Sequence, residues 1–416
     1  MLARVVPQSS TVVIVGHFPP SAVGTGGHHR SYQIAWDARQ AVGAEQVRNL
    51  TWPMVKELRE LNAALQLEMA GEHHPALDDR PLPYTIDRLR RAVRKVRGNW
   101  FQLVSPTHVV LSPWAQGALL DRYQSLVDAA AGDVVCVIEH PCFQAIAEKN
   151  KSRGIPTIAT FHNLESLDIG GPLDLGRRLR TWARLGDVAS ELAVLRGCDE
   201  RLFISGVEAG FVSGIGMTAK HYAYRPVGEV AEWLATIRAK RAPRARARGK
   251  TNLVMLGSAV HPSTAKGFRW FLDLVSRHGL PAGVEVDVVG AGTDTLSSGT
   301  NGRGHIHFRG WVSAQELEGL LVNADAAILP QREGFGALTR LSELAAAGIP
   351  VVASEHASLA AGQVPGVRVV DDDWESWLSA IDAVHSMDST NVPEAETAAG
   401  DNALARALTR LTRSAA

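Results

Sequence analysis

The sequence predicts an α/β protein of two halves, each a parallel sheet covered by helices, and three observations carry that prediction. First, short β-branched runs recur between longer helical patterns: TVVIVGHF, THVVLS, DVVCVIEH, PTIATFHN and DERLFIS, then TNLVMLGS, EVDVVGAG, HIHFRG, DAAILP and IPVVAS. Their continuous apolar character marks strands covered on both faces, as parallel sheets require. Second, the alternation breaks between residues 225 and 252, in PVGEVAEWLATIRAKRAPRARARGK. Third, 416 residues that are 45% hydrophobic and 21% charged suffice for two or three cores.

The break sets the domain boundaries. Residues 1–225 form the first domain, 226–250 a linker and 251–393 the second domain. Six basic residues from Arg238 to Arg248, with no acid and with Pro243 among them, read as a solvated connection. In 394–416, Leu404, Leu408 and Leu411 stand at helical spacing, so a final helix is expected, packing back on the first domain. Ligands of open α/β sheets bind beyond the carboxyl ends of the strands, which places the expected binding cleft between the two domains.

Charge and cysteine usage exclude several classes. Forty-three Lys plus Arg balance 43 Asp plus Glu, leaving no global field for nucleic acid. Cys136, Cys142 and Cys198 form no Cys-x-x-Cys pair and suggest no zinc site, so a reduced setting fits. The apolar run at 11–16 is too short for a signal sequence, and no run reaches the roughly 18–20 residues that span a bilayer. VVGAGTDT lacks the last glycine of GxGxxG, which argues against a dinucleotide-dependent oxidoreductase.

Residues 333–354, EGFGALTRLSELAAAGIPVVAS, are the most informative stretch. Gly334, Gly336 and Ala337 let backbone amides approach a ligand, and the helix expected from Thr339 to Ala347 offers its unpaired N–H groups to phosphate. Glu343, one turn in, suits two neighbouring sugar hydroxyls, although an ordinary αβ unit with a solvated Glu would read similarly. Gly348 and Pro350 end the helix. Two features are discounted. Asp371, Asp372 and Asp373 mimic an Asp-x-Asp metal clamp but precede a helical run and read as caps, and His73 and His74 have no second ligand pair.

Taken in order, GSAVHPSTAKGFRWFLDLV, VDVVGAG, IHFRGWVSAQELEGLLVNADAAILP and the 333–354 run resemble the retaining glycosyltransferases of the group 1 type, family four. The resemblance implies the GT-B fold: two Rossmann-like domains facing each other across a cleft. It further implies transfer of a hexose from a nucleoside-diphosphate sugar to an acceptor hydroxyl with retention, in glycan or polysaccharide biosynthesis, without metal or cofactor. On this resemblance Lys266 meets the donor pyrophosphate and Glu343 the ribose. Gly257, Gly334, Phe335, Gly336, Ala337, Leu338, Thr339 and Arg340 complete the donor site. The family's first glutamate falls here on Phe335, with Glu333 two residues earlier as its replacement. Arg340 substitutes for an arginine that often precedes the lysine.

In the first half, Gly24, Gly26 and Gly27 resemble the family's flexible N-terminal loop. His162 matches its histidine near the reacting sugar, with Glu165 a weaker neighbour, Ser205 in the segment closing the domain and Glu191 opening the helix before it. His28 and His29 point apart on a helix, so one is expected to face solvent. Partners would be the donor and a saccharide or lipid-linked acceptor, not nucleic acid, in the cytoplasm. Arg88, Arg90, Arg91, Arg94, Lys95 and Arg97, with Arg177, Arg178, Arg180, Arg184 and Trp182, are either solvated helix faces or a surface for the inner membrane leaflet. The same fold leaves open a hydrolysing nucleotide-sugar epimerase or a catalytically degenerate relative that binds a nucleotide sugar.

Overall fold

The computed structural model describes residues 10–53, 56–67, 113–168, 188–241, 250–299, 305–334, 336–360, 364–384 and 402–414. The chain divides into two compact units, one of residues 1–223 with 398–416 and one of residues 224–397.

Unit 1 holds a parallel sheet of order β2-β1-β3-β4-β5-β6. Its strands are β1 Thr11–Gly16, β2 Val47–Thr51, β3 Val134–Ile138, β4 Thr157–Ala159, β5 Glu200–Phe203 and β6 Lys220–His221. Side chains alternate across a strand, so β1 feeds two cores. Val13 and Val15 face Leu119, Tyr123, Phe143 and Ile146. Val12 and Ile14 face Ile34, Ala35 and Ala38 of the helix Gly26–Val42. The helix Ala403–Ser414 adds Leu404, Ala407 and Leu408 to this second core. Each fully buried leucine contributes roughly 1.5–3 kcal/mol, which ties the end of the chain to the first unit.

Unit 2 has a parallel sheet of order β12-β11-β10-β7-β8-β9. Here β7 is Thr251–Leu256, β8 Val284–Val289, β9 Ile306–Gly310, β10 Ala326–Leu329, β11 Val351–Ser354 and β12 Val367–Val370. The helix Pro262–His278 buries Phe268, Phe271, Leu272 and Val275, at helical spacing, against Leu253, Met255, Val286 and Val288. Trp374 and Trp377 close that core. A Cβ at Gly267 would lie 2.0 Å from the Pro330 carbonyl oxygen. Only glycine therefore lets this helix pass so close to the end of β10, and Lys266 sits beside that crossing.

The stretch expected to be a solvated linker contains a packed helix, Gly228–Arg241, with Val230, Leu234 and Ile237 buried. Its basic end has a structural use: Arg241 Nη1 donates to the carbonyls of Leu321 and Ala324, each at 2.6 Å. These oxygens close the helix Ala314–Asn323, where the dipole favours a cation. The short strands β2, β6 and β12 were not expected. The expected strand THVVLS, Phe335, His73 and His74, the Arg88–Arg97 stretch, residues 177–184 with Trp182, and residues 242–249 lie outside the described residues. Among the described residues no helix is long and apolar enough to cross a membrane.

Candidate functional site

In unit 2 the carboxyl ends of β7 and β10 and the starts of two helices collect charged groups. Lys266 lies in the second turn of Pro262–His278. Its ammonium is 2.8 Å from Glu333 Oε1 and 3.0 Å from Oε2, with both side chains substantially exposed. The Glu333 carbonyl accepts from Gln331 Nε2 at 2.6 Å, and Gln331 Oε1 accepts from Arg340 Nη2 at 3.3 Å. Arg340 lies against Gly257, where a Cβ would come within 2.7 Å of Nη1. Its Nε is enclosed and makes no hydrogen bond. Loss of solvent lowers the guanidinium from 12.5 to about 10, against the opposing pull of Glu343. Glu343 Oε1 accepts from the Tyr224 hydroxyl at 2.6 Å.

The loop over this cluster is held from below, since the His356 ring bonds the Gly334 carbonyl and Ser354 donates to the Gln331 carbonyl. Gly336, Ala337 and Leu338 lead half-buried into the helix Thr339–Ala346. That helix has no side-chain cap and no acid in its first turn. Arg340 stands there instead, a cation at the positive end of a dipole. The helix Pro262–His278 likewise lacks a side-chain cap and an early acid. Two such starts stand beside Lys266 and Arg340, the cations being offset by Glu333 and Glu343 in place of first-turn acids. Gly257, Lys266, Glu333, Gly334, Arg340 and Glu343 thus form one connected set.

In unit 1 the carboxyl ends of β1, β3 and β4 converge. His162 follows β4 and places Nε2 3.2 Å from Oε2 of Glu139. Glu139, which follows β3, is 2% exposed and accepts from Ser31 Oγ at 2.5 Å. The His162 ring stacks on Phe18, with centroids 5.7 Å apart and planes 7° from parallel. Phe18 also meets His28 edge-on at 5.0 Å, and Gly27 packs beneath its ring. His28 and His29 are both buried, contrary to the expectation that one faces solvent, because the start of their helix is covered by Phe18 and Asn62. His28 Nδ1 accepts from the Thr25 amide at 3.0 Å, so Nε2 carries the hydrogen donated to Asn62 Oδ1 at 2.7 Å. Burial lowers its pKa to about 4.

Two buried carboxylates brace the turn after His162. Glu208 Oε1 accepts from the Leu164 amide at 2.5 Å, and Glu191 accepts from the Ser166 amide at 3.1 Å and from its hydroxyl. Sequence reading placed Glu191 only at a helix start and missed Glu139, Glu208, Gln331 and Tyr224. Glu139 had a signal, a carboxylate directly after an apolar strand, whereas Tyr224 and Glu208 reach their partners only through the fold. Ser205 caps Gly206–Gly214, and Asp373 caps Trp374–Asp382 by accepting from the Ser376 amide at 2.8 Å. Those bonds hold its carboxyl below the ordinary value. Asp372 pairs with Arg332 at 2.9 Å. The structure also gathers His17, His140 and Cys142, residues whose sequence spacing shows no ligand pattern.

Two six-stranded parallel sheets, each flanked by helices, place the chain in the class of two-unit Rossmann-like proteins with the GT-B fold. A sucrose-phosphate synthase from Thermosynechococcus elongatus is similar over 97% of this chain and 94% of its own, at 14% identity and a TM-score of 0.58. An α,α-trehalose 6-phosphate synthase from Burkholderia multivorans is similar over 98% and 93%, at 13% identity and a TM-score of 0.55. A UDP-forming α,α-trehalose-phosphate synthase from Burkholderia vietnamiensis covers 97% of each chain at 12% identity, with a TM-score of 0.53. Residues 250–386 match the family model described as glycosyl transferases, group 1. The match lies within unit 2, and the charged set lies within the matched residues, Tyr224 apart. No curated protein matches the sequence significantly.

Proposed function

We propose that this protein transfers a hexose from a nucleoside-diphosphate sugar to a hydroxyl of a saccharide or lipid-linked acceptor, with retention at the anomeric carbon. The observation that carries the reading is the pairing of Lys266 and the half-enclosed Arg340 with two acid-free helix starts at Gly257. Such a region suits a diphosphate. As the anomeric C–O bond breaks, negative charge grows on the leaving diphosphate, and fixed cations with loop amides from Gly334 to Leu338 stabilise it as it develops. Two protein cations supply what a divalent ion provides elsewhere, so the transfer is read as metal-independent.

Glu343, aligned by Tyr224, takes the ribose hydroxyls, and Glu333 the donor sugar. In unit 1, His162 contacts a sugar hydroxyl near the reacting carbon, with Glu139 orienting its imidazole. The glycine-bearing turn at Gly24, Gly26 and Gly27 covers the substrates. The test is a panel of nucleoside diphosphates and their sugars, uridine first because one structural neighbour is described as UDP-forming. A ligand that binds only the folded chain raises the melting temperature by mass action. Lys266→Ala and Glu343→Ala are each expected to weaken donor binding about 10–100-fold, the range for hydrogen bonds to charged groups. Unchanged affinity in both would remove the site. Nucleoside diphosphate release that needs an acceptor, with the anomeric configuration kept, distinguishes transfer from epimerisation, which proceeds on donor alone.

A further inference from the structure

We propose that His17, His140 and Cys142 form a three-ligand site for a zinc-class metal ion within unit 1, a site independent of the donor reading. One ligand atom from each lies within 4.8 Å of the other two, and all are buried. The sequence conceals the site because the ligands come from two turns: His17 follows β1, and His140 and Cys142 follow β3 and Glu139. The sheet brings those turns together, since β1 and β3 are neighbours with Val15 opposite Ile138. The two imidazole centroids are 4.0 Å apart.

The hydrogen bonding decides which lone pairs are on offer. His17 Nδ1 is enclosed and makes no hydrogen bond. With the ring hydrogen on Nε2, Nδ1 carries an unsatisfied lone pair that a metal ion can take. His140 Nδ1 accepts from the Cys142 amide at 3.1 Å, so its lone pair reaches a metal ion by exchanging that hydrogen bond for a metal bond. An enclosed acceptor left without a donor costs about 1–3 kcal/mol, and a metal ion would relieve it.

Two imidazoles and a thiolate form a borderline-soft set suited to tetrahedral zinc, with Zn–N of about 2.0–2.1 Å and Zn–S of about 2.3 Å. Those bonds require donors roughly 3.3–3.8 Å apart. The three groups must close by about 1 Å, within reach of side-chain rotation at Cys142 and His140. Binding replaces the thiol proton by zinc, so each ion releases one proton from Cys142, and the fourth position stays open to water. An ion here would clamp the corner at 139–142, and with it the Glu139 carboxylate that holds His162.

The experiment titrates chelator-treated full-length protein with cobalt(II), then displaces the cobalt with zinc. The expected result is one equivalent bound, tetrahedral d–d absorption and a sulfur-to-cobalt charge-transfer band. Cys142→Ser should abolish that band and His17→Gln should weaken zinc binding by more than about 100-fold, beyond the loss typical of an outer-shell change. Both variants should keep the metal-free circular dichroism and melting temperature. The proposal is overturned if the unmodified chain shows no charge-transfer band, or if Cys142→Ser keeps it. The first result needs no variant, so misfolding of either substitution leaves the test intact.

Discussion

Arg340→Met separates a ligand-binding arginine from a structural one, because the two roles predict opposite changes in stability. A guanidinium held near 10 instead of 12.5 reports a penalty on the charged form of about 3 kcal/mol at 1.36 kcal/mol per unit. Since the side chain is only partly out of water, about 1–3 kcal/mol is the working range. The sign follows from linkage: the folded value is depressed for a base, so the penalty is present in full below pH 10 and fades only as pH rises towards 12.5. At pH 7 the unliganded protein therefore bears it. Methionine keeps most of the volume and removes the charge, so chemical denaturation should show the variant more stable by about 1–3 kcal/mol. Calorimetry should show nucleoside diphosphate affinity weaker by about 10–100-fold, the loss of a hydrogen bond to a charged group. A variant that is less stable and binds the nucleotide as before would refute the assignment, making Arg340 a brace for Gln331.

Glu139→Gln removes the anion shared by His162 and Ser31 while keeping its shape, and is expected to lower kcat by at least about tenfold with little change in donor affinity; a matched fall in affinity would place Glu139 in donor binding. Glu333→Ala should leave the affinity for a free nucleoside diphosphate unchanged or improved and weaken only the sugar-bearing donor. Equal losses for both ligands would show that it serves the diphosphate. Arg241→Ala unties two carbonyls at a helix end and should cost about 1.5–3 kcal/mol in denaturant unfolding, whereas a solvated linker residue would cost nothing measurable. His28, lowered from 6.5 to about 4 by burial, makes the unfolded chain the stronger proton binder between those values. Stability is then complete above pH 6.5 and falls as pH drops towards 4, by up to about 3 kcal/mol; His28→Gln should flatten that slope, and an unchanged profile would assign it elsewhere.

The parts of the fold that the sequence disclosed are those where burial repeats along the chain. Continuous apolar runs such as TVVIVG and VVCVI lie at the centre of their sheet with both faces covered. The strands that escaped notice, VRNLT, KH and VRVV, sit at sheet edges, where exposure allows polar residues and blurs the pattern. The linker misled for a related reason. Arg241 looks solvated in the sequence, but a helix end exposes carbonyls that a guanidinium satisfies, and composition cannot reveal which end lies near. The run from Glu333 to Glu343 stood out as a candidate site because the loop, the helix start and Glu343 follow one another along the chain. Glu139 with His162, and His17 with His140, meet only through neighbouring strands.

The Lys266–Glu333 contact shows why an ion pair at such a site need not oppose its use. Its side chains are 52% and 32% exposed, a setting in which ion pairs contribute about 0–1 kcal/mol. Exchanging the Glu333 carboxylate for a diphosphate therefore loses little, and the ammonium gains a partner of higher charge. Arg340 is the reverse case, an enclosed cation whose neighbours leave one donor unmet. On the proposed function, the Glu333 pair offsets the Lys266 charge, and the desolvated guanidinium gains most from an incoming anion. The proposal therefore predicts that binding strength at this site is set by the cation that the fold solvates least.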